Sequence, residues 1–168
     1  MPSPFRIEPF NKKRHARDRF DCGQPMLNNY IQHQVSADIR RNLARCYAAV
    51  HEDEPGRLAG YYTLSSYSVD ADGLPEELEK LPYPQIPSVL IGRLASCQSF
   101  RGMGLGKALV VDALKRAVAM HDHLGIHLVV VDPLGEDVVD FYAKFGFEET
   151  ENGQLILPIK TVKASMAR

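Results

Sequence analysis

Residues 101–107, Arg-Gly-Met-Gly-Leu-Gly-Lys, place three glycines and two cations at a single junction in the chain. Gly102, Gly104 and Gly106 let the backbone take positive φ and remove side chains that would keep a ligand away. Arg101 and Lys107 bracket them with positive charge. Residues 89–95 upstream are apolar, and downstream an amphipathic run continues to His121. The pattern reads as a strand, a glycine-rich turn and the start of a helix. The first turn of a helix carries N–H groups without intrahelical acceptors and the positive end of the dipole. Such a place holds phosphate or pyrophosphate.

Spacing sorts the phosphate-binding loops. A P-loop needs Gly-Lys followed by Ser or Thr, whereas Ala108 follows Gly106-Lys107, so no hydroxyl is offered to Mg²⁺. The dinucleotide fingerprint fails because its third glycine would have to stand at Lys107 or Leu109. Arg-x-x-Gly-x-Gly does fit, at Arg101, Gly104 and Gly106. It resembles the acyl-CoA pyrophosphate loop of the GNAT N-acetyltransferases. A bare strand–helix corner would need neither the extra glycine nor the two cations.

The elements that must position this loop follow from the rest of the chain. At 168 residues the chain has the size of one domain, 1–168, with a substantial core. Apolar content of 45% and charged content of 24% are those of an ordinary globular protein. A net charge of −1 excludes a molecule that is polycationic as a whole. Ten of the 20 Lys and Arg residues nevertheless fall within the first 60 positions, so polyanion contacts belong to the N-terminal third. Three scattered cysteines point to reduced thiols rather than a disulfide framework, and hence to a cytoplasmic protein. No histidine spacing suits a metal, and no apolar run suggests a signal peptide or a membrane span.

Taken in order, residues 5–8 suggest a short strand. Residues 11–19 gather five cations, among them Lys12, Lys13, Arg14 and Arg17. Such a run is either a solvated face or a phosphate-contacting patch. Apolar spacing predicts a helix over 26–35 and a second helical piece over 39–43, with Arg40, Arg41 and Arg45 beside it. Residues 46–51 and 58–64 read as a hairpin. An acidic, proline-rich connection of about eighteen residues follows over 70–87, with a short helix at 75–80. The strand 89–95 is too apolar for an edge. In the helix from 104 to 121, Leu109, Val110, Ala113, Leu114, Ala117 and Met120 share one face, while Asp112, Lys115 and Arg116 point away. A buried strand (126–131) and a helix (136–144) capped by Gly146 come next. A hairpin then turns at Asn152-Gly153. The tail from 160 shows no apolar period and is expected to fray.

This order, with Arg101-x-x-Gly104-x-Gly106 and the later Phe141-Tyr142-x-x-x-Gly146-Phe147, resembles the GNAT fold over essentially the whole chain. The resemblance implies an α/β (mixed α+β) domain of the GNAT acyl-CoA acyltransferase type. Its central sheet is mostly antiparallel, with helices flanking it and a parallel fourth and fifth strand that splay apart. Acetyl-CoA is the implied cofactor. Backbone at Leu94 and Ala95 would bond the pantetheine arm and the thioester carbonyl. Amides of Arg101, Gly102, Met103, Gly104, Leu105, Gly106 and Lys107 would hold the pyrophosphate. Tyr142 would protonate the departing sulfur; the alternative is a core tyrosine in an amphipathic helix.

A narrower resemblance lies in Phe20-Asp-Cys-Gly, Gly60-Tyr-Tyr-Thr-Leu64, the connection over 82–87 and Gly92-Arg-Leu-Ala95. Together these are similar to the GNAT toxins of bacterial toxin–antitoxin pairs. Members of that group acetylate the α-amino group of aminoacyl-tRNA. The resemblance implies a homodimer, a ribbon–helix–helix antitoxin and tRNA contacts through Lys12, Lys13, Arg14, Arg17, Arg40, Arg41 and Arg45. Ser96-Cys97-Gln98 and Leu27-Asn28 depart from the group's usual residues. Acetylation of a small amine or a protein amine therefore stays open at this point, as does a non-catalytic acyl-CoA-binding module.

Overall fold

The computed structural model of the chain describes residues 2–78 and 80–167. Its elements are β1 (Phe5–Pro9), α1 (Pro25–Asn29), α2 (Val35–Arg40), β2 (Arg45–His51), β3 (Gly60–Asp70), β4 (Gln85–Ser96), α3 (Leu105–His121), β5 (Leu128–Val131), α4 (Glu136–Ala143), β6 (Glu148–Glu149), β7 (Leu155–Pro158) and α5 (Ile159–Met166). The strands hydrogen-bond in the order β1-β2-β3-β4-β5-β7-β6. β4 and β5 are parallel; β1–β2, β2–β3, β5–β7 and β6–β7 are antiparallel. This is the mixed sheet that the resemblance implies. By contacts the chain falls into two compact units, Met1–Ser65 with Gly92–Ala113 and Ser66–Ile91 with Leu114–Arg168.

In the first unit, β1 runs against β2 with Phe5 opposite His51, and β2 runs against β3 with Ala49 opposite Gly60. The helices expected as two pieces form one run from Pro25 to Arg40, joined by a π-helical turn at Tyr30–Gln34. A π turn leaves carbonyls out of the usual ladder. The Arg17 guanidinium donates to two of them, Ile31 O at 2.9 Å and Gln32 O at 3.3 Å. The extra residue keeps Leu27, Tyr30, Ile31 and Val35 all buried. The second piece does not extend to Leu43, because Asn42 takes φ 60° and ends the helix. Asparagine tolerates that left-handed conformation better than most side chains.

In the second unit, β5 is buried along its whole length between β4 and β7. Val69, Leu74, Ile86, Leu128, Val130 and Ile156 form the core. The connection is shorter than the sequence suggests, since β3 persists to Asp70 and β4 begins at Gln85. Proline lacks only a donor, and the Pro87 carbonyl still accepts the His127 N–H at 2.8 Å. The expected helix over 75–80 is a 3₁₀ turn at Glu76–Leu78, and Glu79 lies outside the described residues. The tail differs from expectation as well: α5 forms on Ile159 and Val162, two buried residues three apart. Among the described residues no helix is long and apolar enough to cross a membrane.

Candidate functional site

The first unit carries the glycine loop and the strand end that leads to it. Pairing of β4 with β5 covers Ser88–Ile91, and β4 then runs on to Ser96. Leu94, half-buried, and Ala95, buried, lie in that extension. A 3₁₀ turn at Gln98–Phe100 follows, and α3 begins at Leu105. Between them Gly102 and Gly104 take φ of 83° and 78°. A Cβ built on either would meet nothing within 4 Å, so the loop is open on that side.

Not every amide in the loop is available. Arg101 N–H donates to Gln98 O at 3.1 Å and Met103 N–H to Phe100 O at 3.3 Å. The first bond into α3 runs from Ala108 N–H to Gly104 O at 3.0 Å. Leu105, Gly106 and Lys107 therefore hold the amides that helix geometry leaves without an intrahelical acceptor. The Arg101 and Lys107 side chains are exposed on either side, and the Leu105 side chain is buried beneath. Exposed cations, a helix N-terminus and an open glycine face make a place that fits a diphosphate.

Two contacts fix how α3 sits on β3. A Cβ at Gly60 would lie 3.0 Å from Ala95 O, 3.1 Å from Leu109 Cδ1 and 3.2 Å from Leu105 Cδ2. A side chain here would push Ala95 O and the two leucines back by a few tenths of an ångström, so glycine lets the start of α3 sit closest to β3. That is the physical content of the glycine opening Gly60-Tyr-Tyr-Thr-Leu64. The Tyr62 hydroxyl donates a short hydrogen bond to Asp112. Asp112 thus does not point away as expected. It borders the apolar face, and a tyrosine buried completely requires a polar partner.

Tyr142 belongs to the second unit. Only 3% of its surface is exposed, and its ring meets Phe141 and Phe147 edge-on at 5.1 and 5.4 Å. The helix α4 ends as Phe145 N–H bonds Tyr142 O and Gly146 N–H bonds Ala143 O. Phe147 then folds back onto Tyr142, a contact that often accompanies a glycine-ended helix. This accounts for the spacing in Phe-Tyr-x-x-x-Gly-Phe. Burial pushes the phenol well above its ordinary pKa, so it keeps its proton at neutral pH.

The basic residues divide by use. Arg14 pairs with Glu8 at 3.2 Å, and Arg45 bonds Ile39 O and Asn42. Arg17, half-buried, serves the π turn and lies 5.4 Å from the centroid of Phe10. Lys12, Lys13, Arg40 and Arg41 are exposed. Arg93, to which the sequence pattern assigns no role, stacks its guanidinium 3.7 Å over the centroid of the Tyr30 ring. The signal was present: a charge inside an apolar strand must find a partner. Among the described residues no His, Cys, Asp and Glu cluster could hold a metal.

The chain is similar to two curated relatives. One is the probable toxin TacT of Sinorhizobium fredii, 29% identical over 171 residues, covering 95% of this chain and 94% of that one. The other is the tRNA-acetylating toxin of Mycobacterium tuberculosis, 31% identical over 147 residues, covering 86% and 87%. Among solved structures, AtaT complexed with acetyl-methionyl-tRNAfMet superposes with a TM-score of 0.89 at 29% identity, over 96% of this chain and 99% of AtaT. A mutant AtaT bound to the C-terminus of the antitoxin AtaR and acetyl-CoA gives 0.82 at 27%, over 98% and 99%. The family model for the acetyltransferase (GNAT) domain matches residues 42–149, well over half of the chain. The protein belongs to the GNAT acetyltransferase family.

Proposed function

We propose that the protein transfers the acetyl group of acetyl-CoA to the α-amino group of an aminoacyl-tRNA and so removes it from translation. The observation that carries this reading is the full-length likeness to AtaT, whose bound acetyl-methionyl-tRNAfMet has the chemistry of such a product. The open glycine face at the mouth of α3 supports the same donor.

Bound acetyl-CoA supplies the activated acyl group as a thioester. Amides of Leu105, Gly106 and Lys107, with the flexible Gly102 and Gly104 beside them, grip its diphosphate. Backbone at Leu94 and Ala95 bonds the pantetheine arm and the thioester oxygen, which stabilises charge developing on that oxygen. The neutral amine attacks the carbonyl carbon, a C–N bond forms and the C–S bond breaks. Tyr142, protonated at neutral pH, gives its proton to the sulfur as general acid. The nitrogen loses a proton to solvent, and the phenol is restored from the same source. An α-amino group has a pKa of roughly 8 and an esterified carboxyl lowers it, so the acceptor needs little help to be nucleophilic.

The tRNA is engaged by Lys12, Lys13, Arg40 and Arg41, and to a lesser degree by Arg14, Arg17 and Arg45, which have structural partners. The chain works as one GNAT domain over 1–168, in the cytoplasm where charged tRNA is found. The toxin-like resemblance supports a homodimer and a ribbon–helix–helix antitoxin, and the AtaT–AtaR complex supports an antitoxin partner. Incubation with labelled acetyl-CoA and total charged tRNA tests the reading. Label on the aminoacyl moiety is expected; label on free amino acids, polyamines or protein alone would overturn the substrate, and no turnover would overturn the activity.

A further inference from the structure

Arg57 lies just before β3, outside the residues assigned to binding or transfer. Its Nη2 donates to Ser99 Oγ at 2.9 Å and approaches Cys97 Sγ at 3.8 Å, and Nη1 reaches Glu54 at 3.5 Å. The guanidinium covers the Phe100 ring, 4.9 Å from its centroid. One side chain thus touches Cys97, Ser99 and Phe100, the residues that lead from the end of β4 into the glycine loop. The backbone of that segment is pinned as well: Cys97 N–H donates to Ala59 O and Gln98 N–H to Asp21 O, both at 2.8 Å. Asp21 belongs to Phe20-Asp-Cys-Gly, so that segment and Arg57 converge on a single three-residue turn.

The turn matters because the loop hangs from it. Arg101 N–H and Met103 N–H bond the carbonyls of Gln98 and Phe100. Any rotation of the 3₁₀ turn carries the glycines with it. Arg57 also holds its Nε buried without an acceptor. Burying an unpaired donor costs stability.

We propose that Arg57 is a positioning residue for the diphosphate cradle, acting through Ser99 and Phe100. This rests on the acetyl-CoA reading above. Neutral Arg57→Ala frees the turn, so the KM for acetyl-CoA and the Kd for coenzyme A should each rise about tenfold, as expected for loss of one charge-assisted anchor. The kcat and the KM for charged tRNA should stay within about twofold, a split that general destabilisation does not produce. Arg57→Lys should recover only part of the loss, since an ammonium cannot both cover a ring and donate in a fork.

The test measures these constants by steady-state kinetics, and coenzyme A binding by calorimetry, for wild type, Arg57→Ala, Arg57→Lys, Ser99→Ala and the Arg57→Ala/Ser99→Ala double variant. Ser99→Ala leaves the core intact and should raise the same KM more mildly. The double variant should be no worse than Arg57→Ala. Unchanged acetyl-CoA KM and coenzyme A Kd in Arg57→Ala and Ser99→Ala, or a loss confined to kcat, would overturn the proposal while wild-type binding upholds the donor reading. Failure of the wild type to bind coenzyme A would overturn both.

Discussion

At the residue scale the proposed chemistry rests on one phenol and a handful of amides. Tyr142 is buried among aromatic rings, and burial keeps its phenol protonated. Tyr142→Phe keeps the rings of Phe141 and Phe147 in contact and deletes only the hydroxyl. It should lower kcat by about a hundredfold or more with little change in acetyl-CoA KM, measured by initial rates. Equal turnover in the two proteins would remove Tyr142 from the mechanism. The packing around Tyr142 was legible because it follows local rules: a glycine ends the helix and the next aromatic returns to cover the tyrosine. Arg57, Arg93 and the Tyr62–Asp112 bond were not, since each joins positions dozens of residues apart, as with the 50-residue separation of Tyr62 and Asp112. Periodicity places Asp112 off the apolar face but cannot say which buried hydroxyl lies beside it.

At the element scale, the end of β4, the glycine turn and α3 are where sequence and structure agree best. Three local signals coincide there: an apolar run, positive-φ glycines and a strong helical repeat. Disagreement concentrates where a tertiary contact overrides a local preference. The π turn joins two helical pieces because Arg17 supplies donors from outside the helix. Pro87 sits inside β4 because only its missing donor is lost from the ladder. Gly104 offers the sharpest element-level test. At φ 78° alanine is strained by about 1–2 kcal/mol, and its methyl would project into the open side of the loop. Gly104→Ala should raise the acetyl-CoA KM about tenfold while leaving the KM for charged tRNA unchanged. An effect on the tRNA KM instead would move the loop from donor to acceptor binding.

On the scale of the whole molecule, mixed sheet and helix order were legible from the sequence of elements, and strand ends were not. β3 runs on to Asp70 and β4 begins at Gln85, beyond the apolar runs that mark them in the sequence. The buried hydroxyls and thiol give the fold a pH signature. Burial raises the pKa of Tyr61 and Tyr142 above 10.0 and of Cys46 above 9.0; burial and then the Asp38 contact do the same for Tyr30. Below those values both folded and unfolded chains hold these protons, so this stability is fully present. As pH rises past 9 and then 10, the unfolded chain releases protons that the folded chain keeps, and stability falls. Each such group contributes a slope of about 1.4 kcal/mol per pH unit. Melting temperature should be level from neutrality to about pH 9 and drop steeply above about pH 10; a level profile to pH 11 or so would contradict the burial of these groups. Every proposed role depends on where the donor's diphosphate lies. A crystal of the protein grown with coenzyme A should show it against the amides of Leu105, Gly106 and Lys107, with Gly102 and Gly104 alongside. A diphosphate bound elsewhere on the molecule would contradict the account.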